Sequence, residues 1–577
     1  MNKAVNCLIL LIICILDLDI LMNMKKYIDV FLYTLDDKTV YKFPPLRFLL
    51  ELDFMDLCDY FPELGSFLFS EPLKFNTICS EIFFACLRSS DNEFKQYIQP
   101  SQVAVTIRLK SLPRILSRTT SHRYENIVSY YGLLFTISKP TNNVFHTVWS
   151  CPEECDGNEA ILHYIPKVPP KCLICKSVMF ENSGLRWCGE QVIATFKIKN
   201  DLLSKKFTIT DDLIPKLKLG STYIIHTVVL KRTVAVWSLE EHASLPAPSN
   251  FSVPVDIKEL YAACDTSPWK FIYCLASSIG VHVCPLNCFM NVKINLLLSL
   301  TSVKAHLYTG SAIIHFLGAG FDTGYVGELM RQAAMLADRH ITLGVSNTSV
   351  ETALTASSGG VCVMPLLLQS YSKKQINSLM STLETGDVTY ETGKIKLKCA
   401  VWAHGMDFKK ITLCNVGSIF GLVSRGDNGE SMDDLVDFIL QRAIEPAQTT
   451  VEEIEALKDV SNYIDLVAGC SVSLSEETEN LLKNYILAAR KERPKTVTVA
   501  CMGALVAVCM TSAKLCRRNV TIIQDAVFAI WLHVSGLSNP RFAPEEYLQT
   551  PADIKKLQIV IDQFLSWLEQ FVGIVIM

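Results

Sequence analysis

The sequence predicts a multi-domain chain that combines α/β and all-β parts, and three observations carry that expectation. The first is length: 577 residues exceed what one hydrophobic core serves, so about two to four domains are expected. The second is a change of period. Apolar residues recur at helical spacing up to about Arg123, then at a spacing of two between Asn126 and Val229. The third is a strand–turn–helix stretch, with the apolar run Ile313–Leu317, a Gly-rich turn and a helix pattern from Gly327 to Ala334.

Composition narrows the function classes. Half of the residues are apolar and 19% are charged, which excludes long disordered tails. The formal net charge is −4 and no block of like charges forms a basic arm, so any nucleic-acid contact must come from local patches. The 21 cysteines lack secreted-domain spacing and read mostly as buried thiols in a reducing compartment.

Ala4 to Leu16 is apolar except for Asn6, and Asp17 and Asp19 follow it. The run is too short to span a bilayer and no small-residue cleavage site follows it. Translation is expected to start at Met22 or Met24, which leaves residues 1–24 as an extension. From Lys25 to about 125 the pattern is mostly helical. Leu46–Leu52 is one helix candidate, and Cys79, Ile82, Phe83, Cys86 and Leu87 share one helical face of core type. Val103–Leu109 alternates like a strand.

Residues 126–245 read as a small barrel. Ile127–Ser138, Phe145–Ser150, Gln191–Ile198 and Ser221–Val229 are short strands bounded by turn residues. Inserted among them are Cys151-Pro-Glu-Glu-Cys155 and Cys172-Leu-Ile-Cys175. Two close cysteine pairs so spaced place four thiolates round one structural Zn²⁺. The plain alternative is four cysteines packed as small hydrophobes; the pairing and Pro152, Pro169 and Pro170 favour zinc. His163 and Cys188 are near enough in sequence to replace a ligand. Leu245–Val255 is a Pro/Ser-rich linker, and Asp256–Cys264, Pro268–Ser277 and Asn291–Ser299 are helical beyond it.

The Gly-rich turn has the layout of a phosphate-binding loop and lacks its chemistry. Such a loop needs a Lys for the outer phosphates and a Ser or Thr hydroxyl for Mg²⁺. Set against GxxxxGK[ST], the window Ala319–Val326 keeps Gly324 but places Tyr325 at the Lys and Val326 at the hydroxyl. Asp322 adds a charge that repels phosphate.

Three further stretches carry a family resemblance: Ser267–Gly280, Leu354–Pro365 and Leu383–Thr389. With the loop between them, they resemble a divergent, non-catalytic branch of the minichromosome maintenance (MCM) family of hexameric helicases. The resemblance implies a helical N-terminal subdomain over 25–125 and an oligonucleotide-binding barrel with a zinc ribbon over 126–245. It implies a degenerate AAA+ core over 256–445 and a helical lid over 446–577. Cys151 and Cys155 are separated by three residues where the family usually has two.

The family's ATPase residues map onto unsuitable side chains. The acidic pair that holds Mg²⁺ and polarises water falls on Pro365 and Leu366. The polar sensor falls near His404. The arginine-finger motif resembles Ser418–Gly421, which puts Ile419 at the Arg and Gly421 at the Asp. Ala500 stands at the second-sensor Arg, and the family's hairpin Lys falls near Glu391 or Thr392. An arginine finger alone contributes about 10³–10⁵ in rate, so conventional hydrolysis is not expected and ATP is not an expected cofactor.

The function implied is a non-catalytic scaffold in meiotic double-strand-break repair by homologous recombination. Such a scaffold supports strand invasion and crossover formation in the nucleus, with other MCM-like proteins as partners and no membrane. The alternative is a single-stranded-DNA-binding accessory protein in replication or general repair. For DNA contact, Lys394, Lys396 and Lys398 alternate at strand spacing, and Lys197, Lys199, Lys205 and Lys206 cluster near one barrel loop. Tyr130, Phe196 and Tyr223 are scattered barrel aromatics without an obvious stacking row. The plain reading of these lysines is a solvated face.

Overall fold

The computed structural model describes residues 46–89, 99–112, 127–155, 159–198, 204–230, 233–242, 252–265, 267–319, 323–343, 349–365, 371–390, 393–406, 419–425, 432–444, 451–494, 497, 500–537, 541–551 and 553–576. The expected extension over 1–24 lies outside them. The chain divides into two compact units, residues 1–243 and 244–577.

The first unit begins with strand β1 (Leu46–Asp53), helices α1 (Phe54–Tyr60), α2 (Pro62–Ser70) and α3 (Pro72–Ser89), and strand β2 (Val103–Lys110). β1 runs parallel to β2, with Leu46 opposite Val103 and Leu52 opposite Leu109. The helix expected over Leu46–Leu52 is therefore a strand. Leu50 and Leu52 are buried against the helices, and ladder pairing with β2 outweighs a helical propensity that is only a weak prior. Asp53 ends β1 and caps α1, its carboxylate accepting from the Met55 and Asp56 amides at 2.9 and 3.2 Å. Cys79, Ile82 and Phe83 do share the buried face of α3.

The barrel follows: β3 (Ile127–Ile137), β4 (Thr141–Ser150), β5 (Glu159–Leu162), β6 (Phe180–Glu181), β7 (Trp187–Ile198), β8 (Ser204–Thr210), β9 (Thr222–Leu230) and β10 (Thr233–Glu241). The order β3-β9-β10-β8-β7 closes because β3 also pairs with β7. Closure removes the open edges of a five-stranded sheet. β4 leaves the barrel from β7 and carries β5 and β6, so the cysteine-bearing insertion stands on an extension of one barrel strand. Phe196, Phe207, Ile209 and Tyr223 fill the interior. Arg108 of β2 is fastened to the barrel by a two-pronged bond to Asp212 at 2.6 and 3.1 Å and by donation to the Trp237 carbonyl at 2.9 Å.

The second unit opens with helices α4 (Val255–Ala263), α5 (Pro268–Ser277) and α6 (Met290–Thr309). α6 is buried almost all round, as a helix must be when apolar residues occupy every face. Then come β11 (His315–Ala319), α7 (Thr323–Ala334), β12 (His340–Thr342), α8 (Val350–Ala356), β13 (Val361–Pro365) and α9 (Lys373–Thr385). The hairpin β14 (Asp387–Tyr390) and β15 (Gly393–Lys396) precedes β16 (Ala400–Met406) and β17 (Gly421–Arg425). Five of these strands form one parallel sheet in the order β12-β13-β16-β11-β17. The first strand in sequence thus lies between the fourth and the fifth. Helices α10 (Met432–Ile444), α11 (Val451–Ala468), α12 (Glu476–Glu492), α13 (Ala500–Leu515), α14 (Ile523–Gly536) and α15 (Ile554–Val572) complete the unit. Asp525, fully buried, binds Arg518 at 2.7 and 2.8 Å and accepts from Ser512 at 2.6 Å, which locks the start of α14 to the end of α13.

Candidate metal centre and the nucleotide-site positions

Cys151 follows directly on β4, and the chain turns so that the Glu154 amide donates to the Cys151 carbonyl at 3.2 Å. Glu154 is left-handed, at φ +48°. That conformation takes up the third intervening residue and brings Cys155 back toward Cys151. The second turn is tighter. The Cys172 amide donates to the Ser177 carbonyl at 2.9 Å, and the Lys176 amide donates to the Cys172 carbonyl at 3.1 Å, with Lys176 at φ +60°. Trp149 and Met179 bury Cys151 and Cys172 between them, and Cys175 stays exposed.

The sulfurs of Cys151, Cys155, Cys172 and Cys175 all lie within 4.8 Å of one another. Cys151 Sγ and Cys175 Sγ are 3.3 Å apart. A tetrahedral Zn²⁺ with Zn–S bonds of about 2.3 Å needs sulfurs about 3.8 Å apart, which these separations bracket. Four soft thiolates and no carboxylate suit zinc. The Cys175 amide donates to Cys172 Sγ at 3.3 Å, the outer-shell contact that orients a ligand sulfur. Hydrogen bonds, first from the Ser177 hydroxyl and then from Cys172, draw the Cys175 thiol down to about 6. Burial pushes Cys155 up to about 12. These four cysteines can hold a metal ion such as zinc. His163 and Cys188 are not part of the cluster; the His163 ring stands edge-on to His146, with centroids 6.5 Å apart.

In the second unit, Gly318 of β11 and Pro365 of β13 both stand beside His404 of β16. The carboxyl ends of these strands are where an open parallel sheet binds ligands. Val326 is fully buried, and its Cγ1 occupies the space a Cβ on Gly318 would need, at 2.5 Å. Tyr325 stacks on Phe289, with ring centroids 6.1 Å apart and planes 24° apart. The His404 ring covers Gly327 so closely that a Cβ there would come within 2.5 Å of Cε1. Ile419 is half-buried against the core beneath β16 and β17. Gly421 has φ +82°, and a Cβ on it would meet Ala504 at 2.7 Å. Asp322, Leu366, Glu391, Thr392 and Ser418, together with the Ala500 side chain, lie outside the described residues.

The lysines with DNA potential are exposed to different degrees. Lys394 lies opposite Thr389 on the hairpin, and Lys396 opposite Asp387, whose Oδ1 is 2.8 Å from Nζ. Lys398 lies beyond β15, and all three are exposed. Sequence reasoning passed over the Asp387 partner and the anchor beneath the hairpin. The Tyr390 hydroxyl donates to the Glu351 carbonyl at 2.9 Å and lies 2.5 Å from Thr355 Oγ1. The antiparallel pairing of Asp387–Tyr390 with Gly393–Lys396 was the signal that could have found the first. On the barrel, Phe196 and Tyr223 are buried core residues. Tyr130 packs on Phe207 at 5.4 Å with Lys205 Nζ 4.5 Å above its ring. Lys206 is exposed, Lys197 is half-buried, and Lys199 lies outside the described residues.

No helix among the described residues is long and apolar enough to cross a membrane. Residues 10–112 match the family model "MCMDC2, N-terminal domain". The chain is 22% identical over 616 aligned positions to minichromosome maintenance domain-containing protein 2 of Rattus norvegicus, covering 89% of each chain. It is 22% identical over 620 positions to the Homo sapiens protein of the same name, again covering 89% of each. The resemblance read from the motifs is thus met along nearly the whole chain, which is similar to minichromosome maintenance domain-containing protein 2.

Proposed function

We propose that this chain is a non-catalytic MCM-like scaffold of meiotic double-strand-break repair. It acts in the nucleus during homologous recombination and supports strand invasion and crossover formation alongside other MCM-like proteins. The observation that carries this reading is the pairing of two facts. The chain is similar to minichromosome maintenance domain-containing protein 2 over 89% of its length. Its phosphate-loop positions hold Tyr325, stacked on Phe289, and Val326, committed to the core.

Hydrolysis needs a cation on the outer phosphates, a hydroxyl and a carboxylate on Mg²⁺, and an arginine on the developing charge. A stacked tyrosine, a buried valine, Pro365 and Ile419 supply none of these. In this reading the parallel sheet serves as a frame, and the ion at the four cysteines stabilises the insertion without taking part in chemistry.

Single-stranded DNA is a proposed second ligand, favoured by Lys394 and Lys398, exposed beside an anchored hairpin. Purification of the tagged protein from germ cells, with identification of what co-purifies, tests the scaffold reading. Other MCM-like proteins and recombination factors are expected. Replication factors instead, with equal expression in all dividing tissues, would move the reading to the accessory-protein alternative.

A further inference from the structure

The second cysteine turn closes a small antiparallel ribbon whose outer face has the wrong polarity for water. Lys171 pairs with Val178, and two residues further on Phe180 lies opposite Ser150. Met179 points inward and is 4% exposed, packed with Trp149, Cys151 and Cys172. Alternation should then put polar side chains outside. Instead Val178 is 56% exposed and Phe180 54%, and at the tip Leu173 is 90% exposed and Ile174 65%. Register places Val178 and Phe180 on the same side of the ribbon. An apolar patch of this kind on a water-facing element marks an interaction surface.

The charges around it choose the occupant. Residues 151–190 hold six carboxylates against four basic side chains, so the insertion as a whole does not attract a polyanion. The charges are segregated: between Ile161 and Phe180 there are three lysines and no carboxylate. Lys171 and Lys176 flank the apolar tip, are exposed, and make no ion pair among the described residues. Three of the four apolar side chains are aliphatic, which gives nucleobases little to stack on.

We propose that this ribbon face docks a polypeptide segment of a partner protein, with aliphatic or aromatic anchors flanked by aspartate or glutamate. Leu173, Ile174, Val178 and Phe180 take the anchors, and Lys171 and Lys176 meet the acids. The lysines contribute mainly to selection and encounter, and the apolar contacts to residence. The proposal does not depend on the role in recombination.

The test places a photoreactive benzophenone analogue of phenylalanine at position 180 of the full, zinc-loaded chain. The chain is irradiated in extract of the tissue that expresses it, and the cross-linked peptide is sequenced. The expected product is a segment of another protein rich in apolar anchors and acidic residues. Lys171→Glu with Lys176→Glu should lower the yield about tenfold, and so should Leu173→Gln, both with unchanged zinc content as the check on folding. Cross-links to nucleic acid, to a second copy of this chain or to a basic segment would overturn the proposal. So would a yield no higher than that from the same group at Thr208, on the exposed side of the barrel.

Discussion

Asp387 Oδ1 lies 2.8 Å from Lys396 Nζ, directly across the hairpin β14–β15. Of three lysines that alternate in the sequence, one therefore already has a carboxylate partner. Any phosphate contact falls chiefly to Lys394 and Lys398. The double variant Lys394→Glu, Lys398→Glu is expected to lower affinity for a single-stranded oligonucleotide at least about tenfold and to flatten its salt dependence. Asp387→Asn, which frees Lys396, should tighten binding a few-fold. An exposed pair contributes about 0–1 kcal/mol, so neither change should move the melting temperature much. Fluorescence anisotropy across a salt series reads all of this, and equal affinity in the three proteins would remove the hairpin from DNA binding.

The four-cysteine centre gives the second prediction. Protein purified without chelator should carry about one zinc per chain, and Cys172→Ser should lose it. The insertion has only a small satellite core around Trp149 and Met179, so metal loss should unfold it locally. Limited proteolysis should then cut between about 156 and 190 while the barrel stays intact. Elemental analysis with no zinc in the unaltered protein would reject the site.

The third prediction separates packing from lost chemistry at the phosphate-loop position. Val326→Thr restores the hydroxyl expected of a Mg²⁺ ligand, but places it in a fully buried site against Gly318. It should destabilise the chain by about 1–3 kcal/mol, because a buried hydroxyl without a partner keeps its desolvation penalty. It should not confer ATP turnover, even combined with Tyr325→Lys. Thermal melting with and without Mg-ATP, and a phosphate-release assay, measure both. Turnover by the unaltered chain that disappears in Tyr325→Ala would contradict the non-catalytic reading.

What could be read in the sequence follows the range of the interactions concerned. The cysteine pairs were legible because a metal centre of this type is built from two local turns. Strands β3, β4, β7 and β9 were legible because alternation is a local record of which face is buried, whereas β8 (Ser204–Thr210) and β10 (Thr233–Glu241), which complete the barrel, were not. Leu46–Leu52 was not, since Leu-rich residues suit a helix and only the pairing with Val103–Leu109, some fifty residues away, makes it a strand. Phe196 and Tyr223 give no sequence signal that separates a core aromatic from a stacking platform. That distinction depends on the barrel closing over them. The exposed tip Leu173-Ile174 was not legible, because apolar residues between two cysteines of a pair look like ordinary core in sequence, and only the fold leaves them in solvent.

The last prediction concerns acid. Burial holds the imidazoles of His315 and His533 down to about 4, against an ordinary value of 6.5. His315 Nδ1 accepts from the Val401 amide at 3.1 Å, which ties β11 to β16. His533 Nδ1 lies 2.8 Å from the Tyr485 hydroxyl, between α12 and α14. Both contacts suit the neutral ring. Below about pH 6.5 the unfolded chain therefore takes up protons that the folded chain refuses. The unfolded state then binds more protons, so stability rises with pH across this window and falls as the solution is acidified. The contribution is full above about pH 6.5, declines between 6.5 and 4, and changes little further below 4. For each histidine the loss is on the order of 3 kcal/mol at the acid end of the window. Denaturant melts of the second unit between pH 7.5 and 4.5 should show this decline. His533→Gln should start less stable at pH 7.5, since it loses ring packing, yet decline less steeply. An equal slope in the variant and the unaltered protein would show that His533 does not titrate in this window.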